Sequence, residues 1–279
     1  MKAKVEFILF ILLVSLPVSG MAQWSRMNYR DRLGDSVVLV NTAQRPLKVK
    51  QPKIYKGSFS GGVRLQSNGW GIFADKGFLY GNEAFGSINR NKYFQVKVLE
   101  LSLSEIKHAK EIKANSVLPG MAFQPGGYIL GKINNFYQAN LGFGYRRLIA
   151  GKPDPGTVSI HWTYIGGLSA GLLKPYYLDL YQYGSVKYSE DIQNEFISPA
   201  MIIGKSGFNK GLNEIRVIPG VFLRTGLNFD FAPGKKGIIA LEGGVQGAYY
   251  FQEIAQMVGQ DPKKAFFSFY ASLQFGGKR

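Results

Sequence analysis

The chain has no cysteine and only two histidines, His108 and His161. The first absence removes disulfides, thiolate metal sites and cysteine nucleophiles in one step. The second leaves little room for a histidine-built metal centre. Acidic residues are scarce, 18 Asp and Glu against 34 Lys and Arg in 279 residues, for a formal net charge of +16. After residue 23 no stretch has the ~20 consecutive apolar residues that a membrane helix needs. No glycine pair is followed by Lys-Ser/Thr at phosphate-loop spacing, and no acidic spacing matches a calcium loop. No catalytic, cofactor-binding or metal residue is therefore assigned, and no cofactor is expected. Only 19% of residues are charged and 14% are aromatic, which argues against disorder.

What is present begins with an address. Lys2 and Lys4 precede the apolar run Phe7 to Val18, and Gly20-Met21-Ala22 supplies small residues before a cleavage point. This is the layout of a secretory signal peptide over residues 1–22, with Gln23 as the new N-terminus. Residues 24–56 follow with eight basic and two acidic side chains. They read as a basic periplasmic arm (23–56), and Arg45, Lys48, Lys50, Lys53 and Lys56 are its candidate contacts with lipid head groups or an acidic partner. Export excludes nucleic acid as that partner, despite the high pI.

From residue 57 onward, period-two alternation recurs. Phe267, Phe269, Ala271, Leu273 and Phe275 share one face, and Ser268, Tyr270, Ser272 and Gln274 the other. Val217, Val221, Leu223, Leu227 and Phe229 oppose Arg216, Arg224, Asn228 and Asp230. Val158, Ile160, Trp162, Tyr164 and Leu168 oppose Ser159, His161, Thr163 and Ser169. Soluble strands usually run ~5–6 residues, whereas most of these runs are longer. Apolar residues facing lipid and polar residues facing a narrow interior account for the pattern. The expected fold is all-β: a transmembrane antiparallel up-and-down barrel of eight strands, at roughly 58–73, 92–104, 134–150, 157–173, 175–187, 215–232, 236–251 and 264–276. Ten strands, with two more near 119–133, is the alternative. In the second strand the apolar parity passes from Phe94, Val96 and Val98 to Leu101 and Leu103, which predicts a bulge.

An even count places both termini in the periplasm. Residues 74–91, 153–156, 188–214 and 252–263 then face outward, and 105–133, 174–175 and 233–236 face the periplasm. Ser104 to Lys113 has an N-cap and helical spacing of Ile106, Ala109 and Ile112, predicting a short periplasmic helix near 105–114. Its Lys107 and Lys110 join the arm as candidate contacts. Eight strands leave room only for inward side chains. Arg64, Lys97, Arg146 and Arg224, with Asp230 and Glu242, are expected to form an interior charge network.

Three stretches, IKHAKEIK (Ile106–Lys113), YILGKINNFY (Tyr128–Tyr137) and GGLSAGLLKPYYLDL (Gly166–Leu180), together with Asn68-Gly69-Trp70-Gly71 and the terminal SLQFG, resemble a poorly characterised family of outer-membrane β-barrel proteins of Bacteroidota. The Ala22-Gln23 junction fits that group's signal peptides. The resemblance covers residue 57 to the end. It implies a barrel in the outer membrane of a Gram-negative bacterium and carries no activity with it.

The expected role is a non-catalytic membrane anchor or scaffold, with residues 24–56 and 105–133 as its periplasmic surface. Its partners would be outer-membrane lipid and a periplasmic or outer-membrane protein. A small anion-preferring channel is one alternative. A barrel-wall lipid-modifying enzyme, using His161 beside Ser159, Thr163 and Glu242, is another.

Overall fold

The computed structural model describes residues 57–79, 95–115, 127–150, 158–231 and 237–279. The expected signal peptide and basic arm, including Arg45, Lys48, Lys50, Lys53 and Lys56, lie outside them. Eight strands close into an antiparallel barrel: β1 (Gly57–Gln66), β2 (Gly69–Leu79), β3 (Gln95–Ile106), β6 (Asn134–Ala150), β7 (Ser159–Pro175), β11 (Arg216–Asp230), β12 (Gly237–Ile254) and β13 (Lys263–Lys278). Each pairs with the next in this order, and β1 returns to pair with β13, so the barrel has no open edge. Among the described residues, five shorter strands stand outside it. Strands β4 (Lys113–Ala114) and β5 (Tyr128–Ile129) pair together, and β8 (Tyr177–Leu180) lies between β9 (Gly184–Lys187) and β10 (Ile202–Lys205).

Burial is inside out relative to a soluble barrel. Along β13, Ser268, Tyr270, Ser272 and Gln274 are buried, while Phe267, Phe269, Leu273 and Phe275 are exposed. Along β11, Arg224 and Asn228 point inward, while Val217, Val221, Leu223 and Leu227 are exposed. Water would penalise such a wall by roughly 25 cal/mol for each Å² of apolar surface; lipid does not. This is the arrangement of a transmembrane β-barrel.

The strand count agrees with the sequence reading, but two of its members differ. The stretch 58–73 is a hairpin, because β1 and β2 turn at Ser67-Asn68. The stretch 175–187 is no barrel strand: Leu178 and Leu180 are buried in the small sheet of β8 to β10. One crossing is gained before residue 74 and one lost after residue 175, so connections between these points exchange ends. The first described residue, Gly57, and the C-terminal Arg279 define the near end, where they exchange two backbone hydrogen bonds of 2.9 and 2.8 Å. Strand β6 ends and β7 begins there too, at the end opposite to the one expected for the connection 153–156, which itself lies outside the described residues. Residues 107–115 and 127–133, expected on the terminal side as part of 105–133, lie at the far end with 176–215 and 255–262.

The expected helix near 105–114 is absent. Glu105 and Ile106 complete β3, paired to Trp70 and Gly69 on one side and to Tyr137 and Phe136 on the other. Ile106 is buried at the barrel's far end, so strand burial outweighs the helical spacing. The bulge is absent as well, because β3 keeps one register against both neighbours. Val98 faces inward into an apolar cluster, and Glu100, Ser102 and Ser104 follow on the same parity.

Candidate functional site

The lumen has two layers of filling. In the first, charged side chains from separated strands meet across the interior. Arg64 on β1 reaches Glu100 on β3 at 3.1 Å, and Glu100 also binds Arg224 on β11. Arg224 binds Glu242 on β12 and reaches the Tyr270 hydroxyl on β13 at 3.2 Å. Strands β3 and β11 are separated by β6 and β7, so the Glu100–Arg224 pair spans the interior. Arg146 on β6 binds Asp75 on β2 at 3.0 Å, and Asp75 accepts from Ser60 and, at 2.6 Å, from Gln274. Asn228 donates to Glu242 at 3.1 Å and to Gln274 at 3.0 Å, linking the groups around Arg224 and Asp75. Three guanidinium groups thus face three carboxylates.

Of the residues singled out from sequence, Arg64, Arg146, Arg224 and Glu242 come together in this cluster. Asp230 lies toward the near end and pairs instead with Lys278 at 3.3 Å. Lys97 takes the outward parity of β3, half-buried, since without the bulge the even positions face inward. The same correction turns Glu100 inward. Asp75 was missed because the two strands of a hairpin were read as one. Its signal was the outward parity itself, odd at Phe59, Val63 and Leu65, then even at Trp70 and Ile72, on either side of Asn68-Gly69.

The second layer is apolar. Ile106, Phe136, Leu173, Ile218 and Ile254, from the far ends of five strands, pack with Phe222 and Tyr250. Phe136 meets Tyr250 edge-on at 5.4 Å between centroids. Inward glycines make room for these rings. A Cβ at Gly142 would lie 2.6 Å from the tip of Phe222, and one at Gly171 would lie 2.9 Å from Tyr250. His161 faces inward across from Asn228 and Leu148, and its Nδ1 is buried without a hydrogen-bond partner among the described residues. No Ser–His or Glu–His relay therefore runs through Nδ1 among the described residues.

Above the apolar layer sits a folded cap. Tyr128, Leu178, Leu180, Phe196 and Ile202 are buried together, with Leu130, Val186 and Val258 packed around them. Phe196 comes from a one-turn helix α1 (Gln193–Phe196). The cap is tied down by Val258 N–H to the Gly131 carbonyl and Tyr176 N–H to the Ile133 carbonyl, both 2.8 Å. Lys132, 2% exposed, is paired at 3.0 Å with Glu111. On the cap's surface, Glu214 accepts from Lys187 and from the Tyr177 hydroxyl, both at 2.6 Å. Lys187 and then Tyr177 hold its carboxyl below the usual carboxylate range. Lys107 and Lys110 are exposed in the turn after β3, on this far end.

Three solved structures give the measure of likeness to known proteins. Neisserial surface protein A aligns over 80% of this chain and 95% of its own, with 10% identity and a TM-score of 0.36. The N-terminal β-barrel domain of Pseudomonas aeruginosa OprF aligns over 81% and 98%, at 10% identity and 0.36. Ail, the attachment invasion locus protein of Yersinia pestis, aligns over 81% and 100%, again at 10% and 0.36. No family model and no curated protein matches the chain.

Proposed function

We propose that this chain is a non-catalytic anchor of the Gram-negative outer membrane, a sealed barrel that holds a folded cap on one face as a scaffold for an envelope assembly. The observation that carries this reading is the cross-lumen bonding. Side chains of β1, β3, β11 and β12 meet in one chain of ion pairs, and an aromatic layer closes the far end above them. The basic residues that pointed toward an anion channel are neutralised by Asp75, Glu100 and Glu242. The exposed apolar wall supports a membrane setting. The longer connections of bacterial barrels face outward and the short turns face the periplasm, which would put the cap outside the cell and the near end, where β1 begins at Gly57, toward the periplasm.

Affinity purification of the tagged full-length protein from outer membranes in mild detergent, with mass spectrometry, tests the scaffold role. A stoichiometric partner that disappears on deleting residues 24–56, or on reversing Lys107 and Lys110 to Glu, supports it. A lone barrel in every preparation overturns it. Planar-bilayer recording of the same sample should show no unitary conductance; reproducible channels would return the anion-pore reading.

A further inference from the structure

A cavity of about 500 Å³ lies on the outside of the barrel at the far end. Its floor consists of outward-parity residues of three adjacent strands, Trp70 and Ile72 on β2, Leu103 and Glu105 on β3, and Tyr137 on β6. The end of β7 contributes Lys174, and the segment 205–210 of the cap overhangs the groove. Ile72 and Leu103 are also part of the exposed apolar wall, so the groove opens directly onto the surface that faces lipid.

The groove is basic where it is polar. Lys174, Lys205 and Lys210 line it against one carboxylate, Glu105, which accepts from the Trp70 indole at 3.1 Å. Lys174 is the telling residue. It has outward parity and is nevertheless only 4% exposed, because Phe208 folds over it. Its ammonium donates to the Phe208 carbonyl and lies 4.1 Å from the Phe208 ring centre. No carboxylate among the described residues is within ion-pair distance of it or of Lys205 or Lys210. An ammonium has three donors, and burying one without an opposite charge is unfavourable. One carbonyl and a ring face meet only part of that demand.

We infer that this groove binds a phosphorylated lipid of net negative charge from the surrounding leaflet, its phosphate held by Lys174, Lys205 and Lys210 and its acyl chain laid along Ile72 and Leu103. A free anion would match the lysines and leave the apolar floor unused. A neutral lipid would match the floor and leave Lys174 uncompensated. An anionic headgroup with an attached chain satisfies both, at the height where the Trp70 and Tyr137 rings mark an interface. The inference rests on the membrane reading above and is indifferent to whether a protein partner binds the cap.

Full-length protein in a neutral detergent is mixed with diphosphoryl lipid A, phosphatidylcholine or inorganic phosphate and examined by native mass spectrometry. One lipid A per chain should be retained at least tenfold better than phosphatidylcholine. Charge reversal at two exposed positions, Lys205→Glu with Lys210→Glu, should reduce that retention about tenfold, with heat-modifiable gel migration unchanged. Lys174→Met should do the same and serves as the second variant. Equal retention of the two lipids, retention indifferent to charge reversal, or loss of lipid A to millimolar phosphate would each overturn the lipid site. Because the measurement is made in detergent, its failure would leave the membrane orientation and the scaffold role standing on their own tests.

Discussion

At the scale of single residues, the interior is a set of charges that exist only as partners. Arg224 is buried between Glu100 and Glu242 and also touches Tyr270. Replacing it with leucine keeps much of the volume and leaves two carboxylates with one guanidinium fewer. Breaking a buried pair from one side costs about 3–5 kcal/mol, so Arg224→Leu should lower the stability of the folded barrel by that order. Urea titration in lipid vesicles, read by heat-modifiable migration, measures it; a shift below about 1 kcal/mol would show that the interior is wet enough to solvate the orphaned carboxylates. By contrast, Lys187→Ala, which breaks an exposed pair with Glu214, should leave the transition where it is. The basic members of this network were legible from the sequence because Arg64, Arg146 and Arg224 each fall on the parity opposite to an outward apolar rhythm. Their acidic partners were less so. Glu100 and Asp75 depended on the parity of β3 and on the turn at Ser67-Asn68, and each slip of one position moves a side chain to the opposite face.

At the scale of elements, local pattern and tertiary setting part company at the far end. Tyr177 to Lys187 alternates much as a barrel strand does, but Leu178 and Leu180 bury against Tyr128, Phe196 and Ile202 rather than facing lipid. Nothing within that stretch distinguishes the two outcomes; residues between about sixteen and fifty positions away decide it. The cap should consequently have a stability of its own. Phe196→Ala removes a fully buried ring, a change of about 3–5 kcal/mol. It should expose residues 176–215 to protease while the eight barrel strands stay resistant; simultaneous loss of both would show the cap and barrel to be one cooperative unit. The turn that replaces the expected helix offers a pH test. His108 Nδ1 accepts the Lys110 N–H at 3.2 Å, which requires a neutral ring. Burial, then Lys263 and Lys110, hold its pKa below the ordinary 6.5, against the opposing pull of Glu111. With the folded value depressed, the opened turn takes up a proton first. The turn is therefore fully stable above about 6.5 and loosens as pH falls toward the lowered value. Hydrogen-exchange protection factors at Lys110 should fall across that window and become flat in His108→Gln; a flat profile in the unsubstituted chain would mean that the ring does not brace the turn.

At the scale of the whole molecule, the sequence fixes how many times the chain crosses only if every hairpin is seen. Eight crossings were expected and eight are present, yet a missed turn and a surplus strand exchanged the ends of everything between them. That exchange matters for function, because it gathers 107–115, 127–133, 176–215 and 255–262 on one face, away from Gly57 and Arg279. The absence of cysteine makes the orientation directly measurable, since any thiol is then a single introduced one. Tyr183 lies exposed near the β8–β9 turn at the far end, and Lys278 lies at the near end beside Asp230. In intact cells a membrane-impermeant maleimide should label Tyr183→Cys and leave Lys278→Cys unlabelled until the envelope is opened. The inverse pattern would turn the cap toward the periplasm and put the basic groove in the inner leaflet, where the phosphate it meets would belong to a phospholipid. Labelling of neither site in intact cells, with both labelled after lysis, would remove the chain from the outer membrane. The same wall of exposed Phe, Leu and Val side chains would then need another apolar surface to cover it.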